Sequence, residues 1–354
     1  VDDASHSFHD SATEERPPDA SVLESRSMNV LVTGGAGFIG SHVAEALLER
    51  GHEVVVLDNL DPFYDVEIKR QNVERCREIG ADRYEFVEGS ITDVALVERL
   101  FHVHDVDVVY HEAAMAGVRQ SVDRPRQYEE NNVAGLLTVL DAAAKNDVDR
   151  FVNASSSSVY GRPEYLPYDE AHPNRPQSPY ATTKLAGEHY CRLYDDLHDL
   201  PTVSLRYFTV YGPRMRPNMA ISNFVSRCSN GDPPVIYGDG EQTRDFTYID
   251  DIVAANLSLL DDDAADGEVL NVGSTDRITI RELAEHVIEE TGADVEPVHE
   301  EAKEADARHT HADVSKAQAL LDYDVSRDIR SGVSAFVDWY ADNEDWYEPL
   351  VLAS

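Results

Sequence analysis

Tyr180-Ala-Thr-Thr-Lys184 sets a phenol and an ammonium four residues apart, which places them side by side on one face of a helix. An ammonium beside a phenol favours the phenolate, and the positive ring of a nicotinamide would add to the effect. A phenolate held in this way can take the proton of a hydroxyl while hydride leaves the same carbon, which is general-base catalysis of alcohol oxidation. Alone, the spacing is common in helices. It gains weight from the serine run Ser155-Ser-Ser-Ser158 that precedes it and from a glycine-rich turn near the start of the chain.

That turn is Thr33-Gly-Gly-Ala-Gly-Phe-Ile-Gly40, between an apolar run and an amphipathic one. In a strand–turn–helix unit, Gly34 permits the tight turn, Gly37 lets a pyrophosphate approach the backbone, and Gly40 lets the helix pack on the sheet. The free N–H groups at the helix start then receive the phosphates, and Phe38 and Ile39 within the turn count among the cofactor-binding residues. Asp58 ends the second strand 18 residues beyond Gly40, where a carboxylate binds ribose hydroxyls. Asn59 follows it, and no arginine stands alongside. That favours NAD over NADP.

These groups need a frame to hold them. Strand patterns at 30–33, 53–57, 84–87, 106–111 and 150–154 alternate with helical patterns at 41–50, 95–101 and 132–146. A long helix at 180–198 and a strand at 202–207 follow. Such alternation implies an α/β fold with a doubly wound parallel sheet of the Rossmann type. After Pro213, prolines and glycines crowd together and the pattern reads as loops and a smaller lobe. The expected organisation is an acidic tail over 1–27, a dinucleotide-binding domain over 28–207 with segments returning near 245–275, and a mainly substrate-binding lobe over 208–350. The acid run at 261–266 reads as a solvated loop.

A formal net charge of −38 argues against sequence-independent nucleic-acid binding, because a phosphate backbone would be repelled. Self-repulsion on this scale destabilises a compact fold in dilute buffer, and molar salt relieves it by shortening the Debye length to ~3 Å. The chain therefore reads as a salt-adapted cytoplasmic protein. No run reaches the ~18–20 apolar residues of a membrane span. Cys76, Cys191 and Cys228 are widely spaced and lack a nearby histidine cluster, so neither a disulfide framework nor a metal site is expected. Residues 1–27 carry seven acids without apolar periodicity and read as a disordered tail, with Met28 as the native start.

Gly34-Gly-Ala-Gly-Phe-Ile-Gly40, Ser155-Ser-Ser-Ser-Val-Tyr-Gly161, Ser178-Pro-Tyr-Ala-Thr-Thr-Lys184, Leu205-Arg-Tyr-Phe-Thr-Val-Tyr-Gly-Pro213 and Arg244-Asp-Phe-Thr-Tyr-Ile-Asp-Asp251 form a set. Together they resemble the extended short-chain dehydrogenase/reductase family, in its sugar-nucleotide epimerase/dehydratase branch, from about Met28 to Trp346. The resemblance implies a Rossmann domain holding NAD, a smaller lobe closing over a UDP-sugar, and a homodimer formed through helices near 95–103 and 180–197. It implies Ser156 as the group that hydrogen-bonds the reacting hydroxyl, Tyr180 as the base, and Lys184 as its partner on the nicotinamide ribose. Ser90 and Ile91 stand at the adenine, where the family usually has Asp before the hydrophobe. Ala113 in His111-Glu-Ala-Ala114, Asn131 with Asn132, and Tyr207 take further cofactor positions. Arg244 resembles the arginine that pairs with the substrate diphosphate, for which a guanidinium fork is suited. Asn218 and Tyr237 fall at the nucleotide end, and Lys303 near the nucleoside.

The resemblance also narrows the reaction. The 4,6-dehydratases carry Asp-Glu where this chain has Ser157-Ser158, since moving water off C5–C6 needs a carboxylic acid and a carboxylate. UDP-glucuronate decarboxylases commonly carry Glu at the second position. What remains is 4-epimerisation, with NAD regenerated in each turnover. Hexose epimerases usually have Asn at the position of Thr209, and the stretches 116–119 and 209–220 look more like UDP-glucuronate 4-epimerases. A sugar carboxylate needs several donors, and Ser157, Ser158, Thr209 and Arg216 can supply them. The same donors would hold that carboxylate out of the decarboxylating orientation, because a 4-keto hexuronic acid is a β-keto acid. UDP-glucose 4-epimerase is the alternative reading. Beyond it stand a non-catalytic NAD-binding scaffold and a dehydrogenase that releases its reduced cofactor.

Overall fold

The computed structural model describes residues 26–260, 262–301 and 308–353. Its strands are β1 (Asn29–Thr33), β2 (Glu53–Asp58), β3 (Tyr84–Glu88), β4 (Val108–His111), β5 (Arg150–Ser156), β6 (Thr202–Tyr207), β7 (Thr209–Tyr211), β8 (Val235–Tyr237), β9 (Thr243–Arg244), β10 (Phe246–Tyr248), β11 (Val269–Val272), β12 (Ile278–Thr279) and β13 (Val298–Glu300). The helices are α1 (Phe38–Glu49), α2 (Val66–Gly80), α3 (Val94–His104), α4 (Val118–Asp123), α5 (Pro125–Glu129), α6 (Gly135–Lys145), α7 (Pro179–His198), α8 (Ala220–Ser229), α9 (Ile249–Ser258), α10 (Ile280–Thr291), α11 (Ser315–Leu321) and α12 (Ile329–Ala353).

Seven parallel strands form one sheet in the order β11-β6-β5-β4-β1-β2-β3. The strand order reverses direction between β1 and β4, so a crevice opens beyond their carboxyl ends. All residues of β5 and β6 are buried, as expected of parallel strands covered on both faces. Helices α3, α6 and α7 cover one face, where Phe101, Leu140 and Cys191 pack on Leu31, Val109 and Phe151. On the other face α1 and α9 bring Val43, Leu47 and Ile252 onto Val30, Val32 and Val203. That second apolar cluster runs on without a break into Phe224, Val287 and Phe336 of the smaller lobe. The two lobes share a core.

Local sequence explains the key helix. Ser178 accepts from the backbone N–H of Ala181 at 3.1 Å, Pro179 occupies the first turn, and Asp199 ends α7 in the left-handed region. The lobe after Pro213 is more regular than expected. Alongside three two-stranded ladders it holds α8, α10, α11 and α12. Helix α10 illustrates why: Ile280, Leu283, Ala284 and Val287 make one apolar stripe, and Thr279 with Glu282 closes a capping box at its start.

Other expectations need adjustment. The helix expected over 132–146 begins with a wide π turn, Glu130–Ala134, before α6. The acid run is not wholly solvated: Asp262 and Asp263 are exposed, but Asp266 takes a bidentate pair from Arg150 at 2.8 and 3.0 Å. The expected tail up to residue 25, and Lys303, lie outside the described residues. Among the described residues no helix is long and apolar enough to cross a membrane, and no group of His, Cys, Asp and Glu could hold a metal ion.

Candidate active site

A cavity of about 940 Å³ opens at the carboxyl ends of the strands and extends beneath the smaller lobe. It stands at the upper end of the ~300–1,000 Å³ range of ligand clefts, as a site for two ligands should. Among the described residues, every one singled out for the catalytic, cofactor or substrate roles, from Gly34 to Arg244, lies in its wall, Asn132 apart.

At one end is the glycine turn. Gly34 has φ +71°, and a Cβ there would stand 2.6 Å from the Ala113 nitrogen at the end of β4. A Cβ on Gly40 would stand 2.5 Å from the Gly34 carbonyl. Gly37 caps α1 without a side chain, so donors of the first helical turn face the cavity end where a phosphate can take them. Asp58 accepts from the Leu60 N–H at 2.8 Å and the Ala36 N–H at 3.2 Å, which fixes its carboxylate at the end of β2. Close turn, open donors and fixed carboxylate fit a dinucleotide. Ser90, in place of the usual Asp, bonds the Thr92 hydroxyl at 2.8 Å, with Ile91 beside it in the wall. Sequence reasoning missed Lys69, which is buried 3.6 Å from Asp58 and over the Tyr64 ring.

The middle of the cavity holds Ser156, Tyr180 and Lys184. Lys184 donates to the Ala154 carbonyl of β5 at 2.6 Å, so the ammonium is fixed at the strand that carries the serines. Ser156 Oγ accepts from the Ser158 N–H at 3.2 Å. The Tyr180 ring packs edge-on against Tyr128, whose hydroxyl is anchored on the Ala116 carbonyl at 2.6 Å. One turn beyond Lys184, buried Glu188 takes a bidentate pair from Arg206 at 2.7 and 2.8 Å and bonds Ser155. This ties α7 to both β5 and β6.

Asn131 and Asn132 part company. Asn131 lines the cavity and bonds the Gln127 carbonyl at 2.9 Å, whereas Asn132 is turned inward to Met115 and Thr183. Tyr207 lines the cavity, and its hydroxyl donates to Glu112 at 2.8 Å. Burial pushes the Glu112 carboxyl up to about 7, against the opposing pull of Tyr207 and Lys184. His111, one residue earlier, is depressed to about 3 by burial and by Lys184, and bonds Thr33 Oγ1 at 2.9 Å.

Ser157, Ser158, Thr209, Arg216, Asn218, Tyr237 and Arg244 also line the cavity. Arg216 lies over the Phe63 ring, 5.6 Å from its centroid. Arg244 donates to the carbonyls of Thr243 and Arg308 at 2.9 and 3.1 Å. Asp239 and Glu241, upstream of it, pair with other arginines: Asp239 with Arg308 and Glu241 with Arg281, each at 2.6 Å. Phe63, Tyr64, Phe224 and Val351 also line the cavity, from the β2–α2 loop, α8 and α12. No local motif marks them.

The sequence matches the NAD dependent epimerase/dehydratase family over residues 30–273. The chain belongs to this family. It is 38% identical to UDP-glucuronate 4-epimerase 1 of Arabidopsis thaliana over 91% of this chain and 78% of that one. Among solved structures, UDP-glucuronic acid 4-epimerase from Bacillus cereus, in complex with UDP-glucuronic acid and NAD, matches with a TM-score of 0.83. The two share 36% identity over 89% of this chain and 99% of that one. UDP-glucose 4-epimerase from Thermotoga maritima, with UDP-glucose, matches with the same TM-score of 0.83 at 34% identity, over 90% and 100% of the two chains. Members of this family are NAD-dependent enzymes with a Rossmann-type α/β fold, which is the fold seen here.

Proposed function

We propose that this enzyme is a UDP-glucuronate 4-epimerase. The observation that carries the reading is the gathering of Ser157, Ser158, Thr209 and Arg216 in the same cavity as Ser156, Tyr180 and Lys184. A carboxylate-bearing sugar finds donors there beside the groups that handle its hydroxyl. Gly34, Gly37, Phe38, Ile39, Gly40, Asp58, Asn59, Ser90, Ile91, Ala113, Asn131 and Tyr207 would hold NAD, which supplies a reversible hydride acceptor when bound. Ser156 holds the C4 hydroxyl and Tyr180 takes its proton. Lys184, fixed on the Ala154 carbonyl, keeps a positive charge beside the phenol. Tyr180 returns the proton once the 4-keto sugar has turned over. Arg244 anchors the diphosphate, and Thr209 with Arg216 restrains the carboxylate so that CO₂ is not lost.

The likeness to the Thermotoga maritima enzyme supports a second reading, a UDP-glucose 4-epimerase. Incubation of purified protein in molar KCl without added cofactor separates the two. UDP-galacturonate formed from UDP-glucuronate, without a pentose product, is the expected result. Conversion of UDP-glucose alone would overturn the uronate reading.

We also propose a cytoplasmic, salt-adapted homodimer with the two-lobed division of the chain described above. Val94 and Val103 on α3 and Leu193 and Leu197 on α7 are exposed by 46–71%, on the two helices expected to pair. The charge of −38 supports the salt adaptation.

A further inference from the structure

The segment from Gly212 to Met219 carries Arg216 and Asn218 into the cavity wall, while Arg214 turns into the seam between the lobes. Arg214 is buried, as is its partner Glu45 on α1, and the two form a bidentate pair whose Nη2 arm is 2.9 Å long. Nη1 also donates to Asn72 Oδ1 of α2 at 3.1 Å. Asn72 in turn donates to the Ala36 carbonyl at 2.9 Å, inside the glycine turn, and the Ala36 N–H donates to Asp58 at 3.2 Å. A hydrogen-bonded path thus runs from the ribose-side carboxylate to the substrate segment. Arg75 takes the remaining capacity of Glu45 at 3.0 Å.

The backbone at Arg214 is unusual. Its φ is +61°, in the left-handed region that costs a non-glycine residue of this size free energy. A buried ion pair adds little net stability over an apolar contact of similar volume, so stability alone does not account for the arrangement. Its consequence is geometric. One residue on, the Met215 carbonyl accepts from the Tyr347 hydroxyl of α12, so the segment is pinned from both lobes. Arg216, the next residue, lies over Phe63 in the cavity wall, with its Nη2 on Met219 Sδ at 3.6 Å.

We propose that Arg214 is a positioning residue whose pair with Glu45 aims Arg216 and thereby sets the preference for a sugar carboxylate. The inference rests on the uronate reading above. Lysine cannot reproduce the planar fork that meets both Glu45 oxygens.

The test uses Arg214→Lys, which keeps the charge, and Glu45→Gln, which keeps the shape, each also combined with Arg216→Ala. KM and kcat are measured with UDP-glucuronate, and NAD is quantified on the desalted proteins. A lost hydrogen bond to a charged group weakens binding by about 10-fold or more, so each single variant should raise KM by about that factor with kcat within about 2-fold. Bound NAD should stay at the parental level. With Arg216 already removed, Arg214→Lys should change KM by less than about 2-fold, because the two residues are coupled. Effects that multiply independently would overturn the proposal. So would a loss of bound NAD or a fall in kcat that matches the rise in KM, which marks a merely structural pair. Turnover of the uronate with KM unmoved overturns the clamp alone. No uronate turnover by the unaltered enzyme overturns the reading and the clamp together. If Arg214→Lys fails to fold, Glu45→Gln decides.

Discussion

At the scale of single residues the site divides labour between groups that act and groups that hold. Tyr180 is the proposed base, while the hydroxyl of Tyr207 in the same wall is committed to Glu112 and Asn256. Tyr180→Phe should lower turnover by about 10²–10⁴-fold, the usual worth of a general base, while NAD still copurifies. A scaffold would lose nothing, and retained turnover measured by proton NMR of the sugars would remove Tyr180 from the mechanism. Glu112 makes a separate prediction. Its carboxyl is raised from an ordinary 4.5 to about 7 by burial, so between those pH values the native state keeps a proton that the unfolded chain has released. Stability from this group is therefore greatest below pH 4.5 and declines as pH rises to about 7. Glu112→Gln should match the parent at pH 4 and exceed it at pH 8 by about 1–3 kcal/mol in denaturant titrations. Parallel pH profiles for the two proteins would contradict this.

At the scale of elements, what the sequence discloses depends on how tightly geometry dictates residue type. The glycine turn was legible because a Cβ at Gly34 has nowhere to go, 2.6 Å from the Ala113 nitrogen at φ +71°. Gly34→Ala should accordingly leave the desalted protein with at least about tenfold less bound NAD, read by absorbance, because both the turn and the phosphate approach are lost. Tyr180 and Lys184 were legible because a helix fixes their spacing. Helix α2 was not, since Ile68, Val73 and Cys76 are its few buried apolar residues and Lys69 and Asn72 share their face. Its role in the cavity wall follows from packing against α1, which no local pattern reports. Asn131 and Asn132 illustrate the same limit: one residue of helical rotation through the turn at Glu130–Ala134 decides which of them meets the cavity. The Glu188–Arg206 pair is a third element-scale feature. Leaving Arg206 unpaired by Glu188→Ala should cost about 3–5 kcal/mol in chemical denaturation, with the loss centred on the α7–β5–β6 junction.

For the whole molecule the governing quantity is charge. With a net −38 and several of its arginines committed to buried pairs at Glu45 and Glu188 and a half-buried one at Asp266, the surface is left strongly acidic. Raising KCl from about 0.1 to about 1 M shortens the Debye length from ~10 to ~3 Å and should relieve this repulsion. The melting temperature is expected to rise by at least about 5 °C across that range. A melting temperature that is flat or falling with salt would contradict the salt-adapted reading. The shared apolar cluster beneath both lobes predicts that they melt in one transition rather than two.

On the proposed function, a uronate is epimerised at C4 by hydride that leaves and returns within one cavity. The decisive substrate is UDP-glucuronate deuterated at C4, incubated with the desalted enzyme in molar KCl and no added cofactor. The expected product is UDP-galacturonate that keeps the deuterium at C4, with no pentose and no net absorbance at the nicotinamide band. Deuterium lost to water, or no uronate product at all, would contradict it.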